Sequence, residues 1–93
     1  MTQPTLGRIR NLVRSLNYVV SLHAAEELDD DQLTILDLES ILLAGKIVER
    51  QRDRQTHEIK CVIRGFTLDG SPAEAVVKIG PLGTLVVITV YAA

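Results

Sequence analysis

Few side chains in this sequence are suited to moving protons. The histidines are His23 and His57. An imidazole is the side chain whose charge ordinarily changes near neutral pH, which suits it to proton transfer. His23 stands in Ser21-Leu22-His23-Ala24-Ala25-Glu26-Glu27. On a helix, Glu26 and Glu27 share its face. That spacing also suits two metal ligands, but two ligands without further partners do not make a site, and no metal is expected. The plainer reading of His23 is a helix-start residue held by a backbone hydrogen bond. His57 lies in a polar stretch and reads as exposed. Tyr91 is able to donate a proton or position a phosphate. The plainer reading is a strand-end ring packed on its neighbours with a wet hydroxyl.

The cations able to meet phosphate are Arg50, Arg52, Arg54 and Lys60, with Lys46 nearby. Glu49, Asp53 and Glu58 interleave them, which is also the make-up of a solvated loop with surface ion pairs. Arg64 and Lys78 fall on strand positions opposite the apolar ones and face water or a ligand. Cys61 alternates with Ile59 and Ile63 and reads as a buried thiol. The Glu26–Asp31 run lacks the spacing of a calcium loop, and reads as a solvated turn or a dock for a basic partner. There is no glycine-rich phosphate loop, no Ser-His-Asp arrangement and no cysteine ligand set, so no cofactor is expected.

The elements that must position these residues follow from periodicity. Leu6, Ile9, Leu12, Val13 and Leu16 fall on one helical face, with Pro4 placed to start it. Tyr18–Leu22 is a short β-branched strand. Ser21 caps a helical turn from His23 to about Leu28, which the acids at 29–31 stop by opposing its dipole. Thr34 and Asp37 form a capping box for a helix over Ile35–Ala44. Gly45 is expected beyond its end in the left-handed region.

Four strands then follow: Lys46–Arg50, Glu58–Phe66, Ala73–Ile79 and Thr84–Tyr91. Gln51–His57, Asp69-Gly70 and Gly80-Pro81-Leu82-Gly83 separate them as a loop and two turns. The last strand is almost wholly apolar, as for a central strand covered on both faces. The fold class is therefore α+β: N-terminal helices packed on one face of an antiparallel β-meander sheet. Val62, Val76, Val86, Ile88 and Val90 are left to share the other face. That face must bind something, line a groove or pack on a second copy.

Composition bounds the reading. At 93 residues the chain is one domain, residues 1–93. With 3% aromatic residues it lacks the stacking platforms of single-strand nucleic-acid binders. A lone cysteine fits a reducing compartment, and the cytoplasm is the expected location. No apolar stretch reaches the ~20 residues of a membrane span, and no membrane partner is expected. The N-terminus is not built like a secretory signal, although its arginines faintly resemble a transit peptide. The net charge of −2 is uneven. Residues 1–22 carry three arginines and no acid, whereas residues 23–45 carry seven acids and no base. The acidic total argues against non-specific RNA binding but leaves room for a local basic patch.

Several short motifs occur in order. They are Tyr18-Val-Val-Ser-Leu-His23-Ala24-Ala25-Glu26, Leu28, Leu33-Thr34, Gly45-Lys-Ile-Val-Glu49, Gly65 to Gly70-Ser-Pro72, and Val87-Ile-Thr-Val-Tyr91. Over residues 18–91 this resembles the small bacterial and archaeal domain of unknown function forty-two fifty-eight. The resemblance implies a distant kinship with the RelE and ParE toxins and with metal-independent ribonucleases. It implies a groove on the sheet in which a 2′-hydroxyl attacks the adjacent phosphate. A base, an acid and cations would assist that attack. Under it His23, Arg64 and Tyr91 are the catalytic candidates. The family pattern carries arginines where this chain has Glu27 and Asp31, and glycine where it has Gln32.

Two functions follow as expectations. One is a non-catalytic interaction module or toxin–antitoxin-type component, working as a homodimer or with another protein. The other is a metal-independent endoribonuclease of the toxin type, with RNA as substrate. The nuclease requires His23, Arg64 and Tyr91 to gather in one groove.

Overall fold

A computed structural model describes residues 4–93. The elements, in order, are α1 (Leu6–Arg14), β1 (Tyr18–Val20), α2 (Leu22–Asp30), α3 (Ile35–Ala44), β2 (Lys46–Arg52), β3 (Ile59–Phe66), β4 (Pro72–Ile79) and β5 (Leu85–Ala92). Strands β2 to β5 form the expected antiparallel meander. β1 adds to it in parallel beside β5, with Tyr18 opposite Leu85 and Val20 opposite Val87. The sheet is thus mixed, in the order β1-β5-β4-β3-β2.

One face of the sheet is covered by the helices. Ile9 and Val13 of α1, Ala24 and Leu28 of α2, and Leu38, Ile41 and Leu42 of α3 meet Cys61, Ile63, Ala75, Val77, Leu85, Val87 and Val90 in a single aliphatic core. The strand positions are those that alternation selects, with one correction. A bulge between Val76 and Val77 of β4 and their partners places Ile88 as an extra residue in β5. Past it the faces exchange, so Val90 enters the core. The other face is open, and β5 is only half-buried there.

The helix ends follow local chemistry. Thr34 and Asp37 close the capping box reciprocally, with Thr34 N–H donating to Asp37 Oδ2 at 2.8 Å. Asp37 Oδ1 also accepts from Leu68 N at 2.9 Å, which ties α3 to the β3–β4 hairpin. Thr5 caps α1, so Pro4 lies outside the helix. Leu16 has left the apolar stripe, exposed at φ +58° past the helix end. Helix α2 runs through Asp29 and Asp30 before Asp31 closes it. Its end is a left-handed cap on Gln32 at φ +58°, with Leu33 N–H donating to Leu28 O at 2.7 Å.

Gly45 corrects a sequence expectation. It is extended, at φ −79° and ψ 179°, not left-handed. Its glycine identity comes from crowding. A Cβ there would run into Ile41 O and stand 2.7 Å from Arg64 O and 2.8 Å from the Ile63 side chain. The end of α3 presses directly on β3.

Candidate functional site

The open face can be read row by row from the register. Lys46, Arg64, Glu74 and Tyr91 stand in one row across β2, β3, β4 and β5. Glu49, Val62, Val76 and Thr89 form the next row, and Gln51, Lys60, Lys78 and Val86 the third, with Val19 of β1 beside Val86. Phe66 projects on the same side, two residues beyond Arg64.

Two of the three catalytic candidates meet in the first row. Arg64 Nε donates to Glu74 Oε2 at 2.7 Å, and Arg64 Nη2 stands 2.6 Å from the same oxygen. Tyr91 O–H donates to Glu74 Oε1 at 2.7 Å. Each oxygen of the carboxylate thus has its own donor. The bond from Tyr91 and then the Arg64 guanidinium hold Glu74 below the usual carboxylate range. The same bond, and then burial, push Tyr91 above the ordinary phenol value. Glu74 is 8% exposed, the most enclosed charged residue among those described. Tyr91 therefore does not simply wet its hydroxyl.

His23 is held elsewhere. It lies in the first turn of α2, and its Nε2 stands 3.3 Å from Glu27 Oε1, one turn on. It does not orient the helix start through a backbone bond. The same Glu27 oxygen accepts from Val90 N at 3.0 Å and from the Thr89 hydroxyl. The reason is topological. β1 pairs only with Leu85–Val87, so beyond Val87 the β5 edge has no strand partner. Ser21, the N-cap of α2, and Glu27 within it serve that edge instead, Ser21 Oγ donating to Ile88 O at 2.9 Å. Where the family resemblance implies an arginine, Glu27 satisfies a strand-edge amide.

Tyr91 and Thr89 are two residues apart on one strand and face the same way. His23 thus joins the open face at its β5 edge through Glu27 and Thr89, while Arg64 and Tyr91 join it through Glu74. The two carboxylates organise the candidates as two groups, not as one cluster. The larger concavity, about 580 Å³, is lined by Arg8, Thr56, Glu58, Ile59, Ile79 and the β4–β5 turn. A second, of about 260 Å³, lies at the β3–β4 hairpin beside Asp69 and Pro72. Neither contains His23, Arg64 or Tyr91.

The proposed phosphate cluster does not assemble. Arg50 pairs with Cys61 on the helix side of the sheet and donates to Pro4 O at 3.3 Å. Arg52, opposite Ile59, shares that side, whereas Lys60 faces the open side opposite Lys78. Arg54 lies in the β2–β3 loop, which Asp53 folds by accepting from Gln55 N and Thr56 N at 2.8 and 3.0 Å. His57, in the same loop, is exposed at φ +60°. Lys78 is paired with Glu58 at 3.1 Å. Cys61 is fully buried, and burial pushes its thiol up. Among the described residues no three His, Cys, Asp or Glu side chains are grouped to hold a metal.

A family model matches residues 20–92, and its description is Domain of unknown function (DUF4258). The chain belongs to this family. The match begins at the end of β1 and takes in α2, α3 and the whole meander. It therefore includes both carboxylates and all three catalytic candidates. No curated protein and no solved structure matches the chain.

Sequence reasoning missed Glu74 and the role of Glu27. The signal for Glu74 was the hairpin. Once the Asp69-Gly70 turn is centred, strand pairing brings residue 64 opposite residue 74. Glu27 had no comparable signal, because its partners depend on β1 stopping at Val20.

Proposed function

We propose that this chain is a non-catalytic interaction module whose open sheet face docks a second copy of itself. The observation that carries this reading is an apolar band across an uncovered sheet. Val19 and Tyr91 are exposed there, at 51% and 37%, as is Phe66 at 59% beyond the Arg64–Glu74 row, and half-buried Val76 and Val86 with buried Val62 continue the apolar surface. Monomeric proteins seldom leave such a band to water. The charges around it favour a self-complementary partner. Lys46 and Lys60 share the face with Glu49, so a two-fold pairing that sets a lysine of one copy against Glu49 of the other would oppose unlike charges. The edge of β2 is less suited, since it is charged and bulged at Val48. The chemistry-bearing groups support the same reading, because Arg64 and Tyr91 saturate Glu74. The lone thiol fits a cytoplasmic setting, and a toxin–antitoxin-type role remains the one the RelE resemblance implies.

A second reading is the metal-independent endoribonuclease. Arg64 and Tyr91 share a row on the open face, which favours it, whereas His23 is held apart from them against Glu27. In that case Arg64 would release Glu74 to meet a phosphate while His23 moved the 2′-hydroxyl proton. RNA cleavage in EDTA by the wild type, run beside His23→Ala, separates the two. The interaction reading predicts intact RNA from both proteins. Cleavage by the wild type that disappears in His23→Ala would establish the nuclease.

A further inference from the structure

We propose that the cleft of about 580 Å³ at the end of the sheet is a binding site for a small amphipathic carboxylate. Its volume lies in the range of small-molecule sites, roughly 300–1,000 Å³. It forms where three separate segments converge: the start of α1, the loop before β3 and the turn between β4 and β5. Ile59 and Ile79 supply an apolar wall and Pro81 another. Arg8, Thr56 and Glu58 supply the polar groups. Their charges are not equivalent. Glu58 is neutralised by Lys78 at 3.1 Å, and that contact holds its carboxyl below the usual range. Arg8 has no carboxylate partner among the described residues. The uncompensated charge in the cleft is therefore a guanidinium, whose fork matches a carboxylate. Gly83, at φ +82°, forms the turn beside Arg8, where a Cβ would make ordinary contact at 3.9 Å from Nη2. The ligand that fits has its carboxylate on Arg8 and its hydrocarbon body along Ile59 and Ile79. This site shares no residue with the open-face row.

The test is titration of the isotope-labelled full chain with octanoate, following backbone amide shifts. The site predicts saturable shifts at Ile59, Ile79, Gly80 and Gly83. It predicts at least tenfold weaker binding of octanoate to Arg8→Gln, and at least tenfold weaker binding of octan-1-ol to the wild type. The octanol comparison keeps the test valid if the variant misfolds. No saturable shift at millimolar octanoate, shifts confined to the open face, or equal affinity for the acid and the alcohol would each overturn the proposal.

Discussion

Arg64 and Glu74 face each other across β3 and β4, with the guanidinium 2.6 Å from a carboxylate that is almost enclosed. Tyr91 approaches the same carboxylate from β5. The three residues form a cross-strand row, the sheet counterpart of side-chain pairs along a helix. The row explains how an ionised glutamate sits almost enclosed on a sheet face.

Removing either donor leaves Glu74 short of a partner. Tyr91→Phe is expected to cost roughly 1 kcal/mol and Arg64→Ala roughly 1–2 kcal/mol, measured by urea unfolding. The two losses should not add, because both act on one acceptor group. Additive losses would mean that the donors act independently of Glu74.

The pH dependence has a definite sign. Glu74 titrates lower in the folded chain than its unfolded value of about 4.3. Its contribution is present above that value and is lost as pH falls through the lower folded one. The stability gap between wild type and Glu74→Gln should therefore narrow as pH drops below about 4. Tyr18 works at the other extreme. Burial, and then its bond to Glu39 at 2.5 Å, push it up to about 12. Its contribution is present below the unfolded value of about 10 and is lost as pH rises through 12. Tyr18→Phe should flatten the alkaline limb of the stability profile.

Two glycines should respond differently to alanine. Gly45→Ala forces a methyl against the backbone of Ile41 and Arg64 and is expected to cost about 3 kcal/mol. Gly70 has open space around it but sits at φ +86°, so Gly70→Ala should cost about 1 kcal/mol. Equal midpoint shifts in urea would contradict the crowding argument.

Gln32 holds the left-handed cap of α2 at φ +58° with a full side chain. Gln32→Gly removes that strain and should raise stability by about 1 kcal/mol, seen as a higher unfolding midpoint. Here the family resemblance and the geometry agree on why a glycine suits the position.

Much of this fold is readable from residue order. The Thr34–Asp37 box, the Ile35–Ala44 helix and the alternation of Ile59, Cys61 and Ile63 all depend on near neighbours, and the structure has them at those positions. What was not readable depends on distant ones. Val90 turns inward because of a bulge set by pairing with β4. Gly45 is required by the backbone of β3, nineteen residues on at Arg64, and not by its own φ. The site shows the same division. Arg64 and Tyr91 were legible as polar ends of strand patterns, but the carboxylate joining them required the register. The cluster of Arg50, Arg52, Arg54 and Lys60 is continuous in sequence, but the sheet puts Arg50 and Arg52 on the helix side, Lys60 on the open side and Arg54 in the loop.

Glu27 offers a local check on that topology. It replaces a missing strand at the Val90 amide. Glu27→Ala should speed hydrogen exchange at Val90 well beyond its effect on Val77, while Glu27→Gln, which keeps an acceptor, should restore most of the protection. Unchanged exchange at Val90 would contradict the capping role.

Self-association through the open face is read by sedimentation equilibrium of the chain, with Val76→Asp as the comparison. The wild type is expected to be dimeric at micromolar concentration and the variant a folded monomer. A wild type that stays monomeric to several hundred micromolar, or a variant that dimerises equally well, would contradict it.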